Sequence, residues 1–339
     1  MNHLSEKINY VRRVGFSNVF DGLITLSFIF CIGFLLKNLL QWLFFRANWT
    51  VVTHNLSLYT FGIFPPDQRW RPTLWLFSLL ALTTVTLLRP GLPWVRKLIP
   101  IAWISAVPVG IYLLSGGLGL LPISSRYWGG LTLTLFLMAS SALIAFPLGM
   151  IFAIGRQSEH FLIKYLSAIY IDTLRAIPLI AILFFGQLLI PLFLPFGLEI
   201  NRVLRAVIAF ALFVSAYVAE DIRGGLQAIP TSQIEAAKAL GLTDFQIKQF
   251  IVLPQAITIA IPALANQAIG LLQNTSLMAI LGLVELLGIS RSILANPEFI
   301  GRYVEVYVWL ALIYWLVCTV IAILSRHIEQ RMKIGKSHS

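Results

Sequence analysis

Seven polar residues stand inside otherwise apolar stretches of this chain: Ser215, Tyr217, Glu220, Asn266, Gln273, Asn274 and Ser276. Their chemistry is that of binding rather than bond breaking. A polar group facing lipid without a partner is costly, so such residues should face an interior or a path for a polar solute. At helical pitch Asn266, Gln273 and Asn274 lie about two turns apart and can share one face. Hydrogen bonding between packed helices accounts for the same residues equally well. Signatures of catalysis are missing. The carboxylates in or near apolar stretches (Asp21, Asp172, Glu220, Asp221, Glu285 and Glu305) are spread along the sequence. There is no His-Glu-x-x-His, Gly-x-Ser-x-Gly or Cys-x-x-Cys. The terminal Gly335-Lys336-Ser337 has Gln330 where a P-loop needs its first glycine. Cys31 and Cys318 both sit in apolar runs, and the five histidines show no metal-ligand spacing. An enzyme is not expected.

The elements that must position these residues are set by the solvent. The chain has 339 residues, 58% of them hydrophobic and 12% charged, with a mean hydropathy of +0.84. A soluble domain carries about 25% charged residues. The composition is that of an all-α, polytopic integral membrane protein, and its net charge of +11 is no nucleic-acid footprint. With a ruler of about 20 apolar residues per crossing, about eight helices span the bilayer. They fall near 19–37, 74–88, 98–115, 128–155, 176–195, 203–222, 255–287 and 304–325. The seventh, interrupted by Pro262, Gly270 and Gly282, reads as one kinked span. The first follows Arg12 and Arg13 but has no small-residue cleavage site behind it, and reads as a retained span.

Basic residues orient these spans. With the N-terminus in the cytoplasm, the inside segments hold Lys7, Arg12 and Arg13; Arg89, Arg96 and Lys97; Arg156, Lys164 and Arg175; Arg223, Lys238 and Lys248; and Arg326, Arg331, Lys333 and Lys336. That is sixteen of the 25 lysines and arginines, as the positive-inside rule requires. Both termini are then cytoplasmic. A composition shift near residue 125 separates a Trp- and Arg-rich external loop, Trp42 to Trp75, from the only long polar cytoplasmic segment, Arg223 to Pro254. The tryptophans of the loop suit either a belt at the bilayer interface or the docking of an extracytoplasmic partner.

Residues 223–254 read as two short helices. Ser232-x-x-Glu235 is a capping box after Pro230, Gly241 closes the first helix, Thr243-x-x-Gln246 is a second capping box, and Pro254 stops the second helix. Ile234, Ala237 and Leu240, with Ala236 beside them, form a small apolar stripe suited to the groove of another protein. A cap with no partner explains Glu235 as well.

The spacing adds more. Glu235-Ala236-Ala237, three residues, Gly241, nine residues and Ile251-x-Leu253-Pro254 resembles the EAA loop of ABC importer permeases. Ala219-Glu220-Asp221-Ile222-Arg223-Gly224 resembles the lead-in of the polar amino-acid permease family. So do Leu253-Pro254-Gln255-Ala256, Ile261-Pro262-x-x-x-Asn266-Gln267, Asn274-Thr275-Ser276-Leu277 and the upstream Tyr170-x-Asp172-x-x-Arg175-x-x-Pro178. The resemblance covers about residues 126–328. The preceding spans and the Phe64-Pro65-Pro66 loop are similar to the long permeases of general L-amino-acid importers. Two departures stand out. Asp172 replaces the family's usual glutamate, and Gln273-Asn274 replaces a common Lys-Asp, which leaves the charge preference for substrate open.

What the resemblance implies is a type I permease core of five helices (126–328) behind a three-helix extension (1–125), with a coupling loop at 231–254 and a cytoplasmic tail at 329–339. Ile234, Glu235, Ala236, Ala237, Leu240 and Gly241 would contact the ATPase, and the seven polar residues would line the substrate path. Expected partners are an ABC ATPase dimer that binds the ATP, a second and similar permease, a periplasmic amino-acid-binding protein, the amino-acid substrate and membrane lipid. No cofactor is expected in this chain. The implied place is the bacterial inner membrane. The competing reading is an ion-coupled secondary transporter with Asp21, Glu220 or Glu285 as proton carrier.

Overall fold

The computed structural model describes residues 15–88, 93–195 and 199–334. Lys7, Arg12, Arg13, Arg89 and Lys336 lie outside the described residues, as do the side chains of Arg96 and Lys333. Nearly all the described chain is helical, and β-structure among these residues is limited to isolated bridges. Seven helices are long and apolar enough to cross a membrane: Val19–Arg46, Pro66–Leu88, Lys97–Ser115, Gly130–Arg156, Arg202–Gln227, Asp244–Ala279 and Tyr303–Met332. An eighth span is counted if the bent pair Phe161–Ala176 and Leu179–Phe193 crosses as one. The chain is an all-α polytopic membrane protein.

Packing divides it into two compact units, Met1–Val51 and Val52–Ser339. The division near residue 125 is therefore one of composition, because residues 52–125 pack within the larger unit. In the first unit, α1 (Val19–Gln41) continues through a π-helical turn at Trp42–Arg46, and Trp42 meets Trp49 edge-on.

The second unit begins with a short helix, α2 (Leu56–Phe61), and the antiparallel pair α3 (Trp70–Leu88) and α4 (Pro93–Ser115). Part of the predicted external loop turns out to be interior. Trp75 is fully buried and its indole donates to the Ala106 carbonyl at 2.8 Å, while Arg71 is 1% exposed and its guanidinium donates to the Leu121 carbonyl at 2.7 Å. Neither residue belongs to an interface belt. A buried N–H needs a fixed acceptor, and both find a backbone carbonyl on a distant segment.

The core helices follow: α5 (Gly130–Arg156), α6 (Phe161–Ala176), α7 (Leu179–Phe184, prolonged to Phe193), α8 (Arg202–Gln227), the short α9 (Thr231–Ala239), α10 (Leu253–Asn274), α11 (Leu286–Leu294) and α12 (Tyr303–Ile334). Helix α8 is central and packs on α5, α6 and α10. Small residues make this approach possible where lipid supplies no hydrophobic drive. A side chain at Gly149 would meet Val218 at 2.5 Å, and one at Gly225 would meet the Ala256 carbonyl at 2.3 Å. Helix α6 is not among the predicted spans because Lys164, Asp172 and Arg175 make it amphipathic. It turns into α7 through a 101° bend at Pro178.

Two boundaries differ from the sequence reading. Pro254 does not stop a helix: Asp244–Gln246, a π-helical turn at Ile247–Val252 and α10 run on as one span. The wider π turn just ahead of the proline absorbs the missing N–H and the ring's clash with the preceding turn. The same span ends by Ala279 rather than 287, and Gly282 lies beyond it at φ 80°.

Candidate functional site

The segment around α9 forms a compact knob. Pro230 occupies the N-cap of α9 with no side-chain cap bond, so the predicted Ser232/Glu235 capping box does not form. The helix starts at Thr231, which places Ser232 inside its first turn rather than ahead of it. The C-terminus does follow expectation. Gly241 adopts φ 79°, its N–H donates to the Lys238 carbonyl at 2.9 Å, and the Leu242 N–H donates to the Ala237 carbonyl at 3.2 Å. These two bonds make a complete Schellman closure. The second capping box is also present, Thr243 and Gln246 each accepting from the other's backbone N–H. The ion pair Lys238–Asp244 at 3.2 Å ties the two turns together.

The knob has its own core, formed by Ile229, Ala237, Ile247 and Val252 with Ile234 and Leu242 against it. Ala237, 3% exposed, therefore faces inward, and Ile234 is half-buried; neither belongs to the free surface expected of the whole stripe. The exposed face carries Glu235, Ala236, Leu240 and Gly241, together with Phe245. Leu240 is 82% exposed and Phe245 72% exposed. Phe245 was missed in the sequence because it falls between the stripe of α9 and the following span, where no periodicity marks it.

Above the knob lies an ion cluster. Glu220 sits on the last turns of α8 and meets Arg156 of α5 at 3.0 Å, Arg175 of α6 at 3.4 Å and Arg223 at 2.7 Å. Arg156 also binds Asp172 of α6 at 2.9 Å. Three helices are thus joined through one carboxylate whose side chain is 14% exposed. Nearby, the Gln267 amide donates to Asp221 at 2.9 Å, linking α10 to α8.

This arrangement sorts the polar residues expected on the solute path. Glu220 is bound by three guanidiniums and is committed to bracing. Tyr217 packs against Phe213 and lies under the Arg175 guanidinium at 5.4 Å. Ser215 is fully buried, donating to the Leu212 carbonyl and 2.8 Å from the Tyr170 hydroxyl, so it serves helix packing. The Ser276 hydroxyl donates to the Gln273 carbonyl at 2.7 Å. Asn266, Gln273 and Asn274 differ. Asn266 and Gln273 are exposed and Asn274 is half-buried. Among the described residues, the amides of Asn266 and Asn274 make no hydrogen bond, and Gln273 reaches only the Cys318 sulfur at 4.0 Å. Helical pitch puts Asn266 and Gln273 about 20° apart around α10, and Asn274 about 80° away from Asn266. An exposed amide row on an apolar helix is suited to a polar solute or to a second membrane subunit.

The family described as "Binding-protein-dependent transport system inner membrane component" matches residues 145–334. The inner membrane amino-acid ABC transporter permease protein YhdY of Escherichia coli is 35% identical, over 98% of this chain and 95% of its own. The glutamate/glutamine/aspartate/asparagine transport system permease protein BztC of Rhodobacter capsulatus is 33% identical, over 85% of this chain and 79% of its own. A crystal structure of an amino acid ABC transporter with histidines superposes with a TM-score of 0.54 at 32% identity, covering 60% of this chain and 92% of that one.

Proposed function

Since the chain belongs to the binding-protein-dependent inner membrane components, as an amino-acid ABC permease, we propose that it works as one transmembrane half of an ATP-driven importer for L-amino acids. An extracytoplasmic binding protein delivers the solute, and an ATPase dimer docks on the coupling knobs of this chain and a second permease. Knob and ion cluster then lie on the cytoplasmic side, with both termini.

The observation that carries this reading is the knob itself. Its Schellman closure and small apolar core hold Glu235, Ala236, Leu240 and Phe245 outward, with Leu226 of α8 packed against that core. A rigid apolar projection of this kind fits a groove on another protein. Force applied to it passes into α8 through Ile229 and into α10 through the continuous Asp244–Ala279 span, whose Gln255 also bonds Gln233 of α9 at 2.8 Å. ATP binding does work only by favouring one of two membrane conformations, and a stiff knob converts ATPase closure into that preference. The amides of Asn266, Gln273 and Asn274 are the groups assigned to the solute path. The tying of Glu220 to three arginines argues against its use as a proton carrier.

The test is uptake by proteoliposomes holding the assembled importer. Leu240→Asp should abolish ATP-dependent amino-acid uptake while leaving the chain inserted. Uptake sustained by a proton gradient without ATPase subunits would overturn the proposal.

A further inference from the structure

The end of the bundle away from the coupling knob holds a cavity of about 830 Å³, bounded by the first turn of α8, the segment before α5 and the loop after α10. Arg126, Arg202 and Arg205 line it, against a single carboxylate, Glu199. Among the described residues none of the three arginines forms an ion pair. Arg202 and Glu199 are close enough to act on Arg205 electrostatically, but no guanidinium–carboxylate contact within 4 Å relieves the excess. Beneath the wall, the Arg205 Nε and the indole N–H of Trp128, a residue 6% exposed, are buried without partners. The wall is otherwise well made. The Ser125 hydroxyl donates to the Asn201 side chain at 2.9 Å, and that same oxygen accepts from the Val203 N–H to cap α8.

Position makes the charge more pointed. The first turn of α8 contains no acid, and the positive end of a helix dipole disfavours cations. Arg202 and Arg205 add two positive charges there. Local stability would be better served by neutral side chains, so the cluster is explained by something it binds. A concave site with net positive charge selects carboxylates, and guanidiniums bind them in a bidentate manner.

We propose that this cavity is an outer binding site for small dicarboxylates, which takes both carboxylates of an acidic L-amino acid on Arg126, Arg202 and Arg205 and its ammonium on Glu199. The site is separate from the amides of α10. The choice of an amino acid as ligand rests on the proposed transport function; the choice of a dicarboxylate does not.

The test is equilibrium binding of radiolabelled L-glutamate, L-glutamine and glutarate to the full chain in lipid nanodiscs. L-glutamate should bind at least about tenfold more tightly than L-glutamine, the difference of one charged hydrogen-bonded carboxylate. Arg202→Gln with Arg205→Gln should remove L-glutamate binding, and Lys164→Gln, which removes a positive charge from the exposed face of α6, should leave it intact. Glu199→Gln should weaken L-glutamate yet tighten glutarate, which a variant that merely misfolds cannot do. Equal binding of L-glutamate and L-glutamine, or binding indifferent to the arginines, would overturn the site. So would loss of binding-protein docking in the arginine variants with L-glutamate binding unchanged, since the cavity would then be a protein-docking surface. Glutarate bound through the arginines in an importer that moves no amino acid would sink the transport reading and keep the site.

Discussion

The two ends of α8 carry arginine clusters of equal size, one paired with carboxylates and the other unpaired among the described residues. Near Gln227, Arg156, Arg175 and Arg223 converge on Glu220, with Asp172 beside them. Near Asn201, Arg126, Arg202 and Arg205 share a cavity with Glu199 and touch no carboxylate among the described residues. A balanced cluster ties helices together; an unbalanced one at a dipole's positive end works against the local fold. The first is a joint and the second is a site. The far end does hold another buried carboxylate, Glu285, but it is used within the fold. It caps α11 by accepting from the Leu287 and Gly288 N–H groups, and the Tyr314 hydroxyl donates to it at 3.3 Å.

That contrast can be broken in several places, and the largest expected effect is at Glu285. Burial pushes its carboxyl from 4.5 up to about 7, against the lowering effect of its N–H donors. Because the folded-state value is raised, the associated stability is complete below 4.5 and is lost as the pH rises through about 7. The full loss is on the order of 3 kcal/mol. Thermal unfolding of the purified chain between pH 5 and 8.5 should show it, and Glu285→Gln should flatten the profile.

Next comes the joint. Glu220→Ala leaves three guanidiniums without their shared carboxylate. Its cost should be roughly 2–3 kcal/mol, below that of a fully buried pair because the arginines are partly solvated. Melting in detergent measures it, and an unchanged melting temperature would deny Glu220 a bracing role.

A smaller effect on stability is expected at the knob. Gly241→Val forces a β-branched residue to φ 79°, at a strain of about 1–2 kcal/mol. Its effect on function should be much larger: uptake should fall severely with the chain still inserted. The smallest shift belongs to the unbalanced cluster. Arg202→Gln should leave stability unchanged or raise it by about 0.3–1 kcal/mol through relief of the dipole conflict. A destabilisation as large as that of Glu220→Ala would erase the distinction between joint and site.

Much of the knob was legible in the sequence because its signals are local. A glycine that can take a positive φ, a threonine three residues before a glutamine and an EAA spacing act within one or two turns. The Ser232/Glu235 box failed for an equally local reason, since Pro230 already serves as the N-cap and shifts the helix start. The solute path was less legible. Ser215 and Asn266 look alike in an apolar run, yet Ser215 meets Tyr170 across 45 positions and Asn266 meets no partner among the described residues.

By itself, then, the sequence determined the solvent, most of the spans to within about a dozen residues and the closing turns of the knob, because bilayer thickness and helix ends impose patterns on neighbouring residues. Only the tertiary structure decided which charges are balanced. Arg156 reaches Glu220 across 64 positions, Trp75 reaches Ala106 across 31, and Arg126 shares a cavity with Arg205. Whether an arginine is a brace or a binding group depends on what packing brings within 4 Å of it, and no periodicity along the chain records that distance.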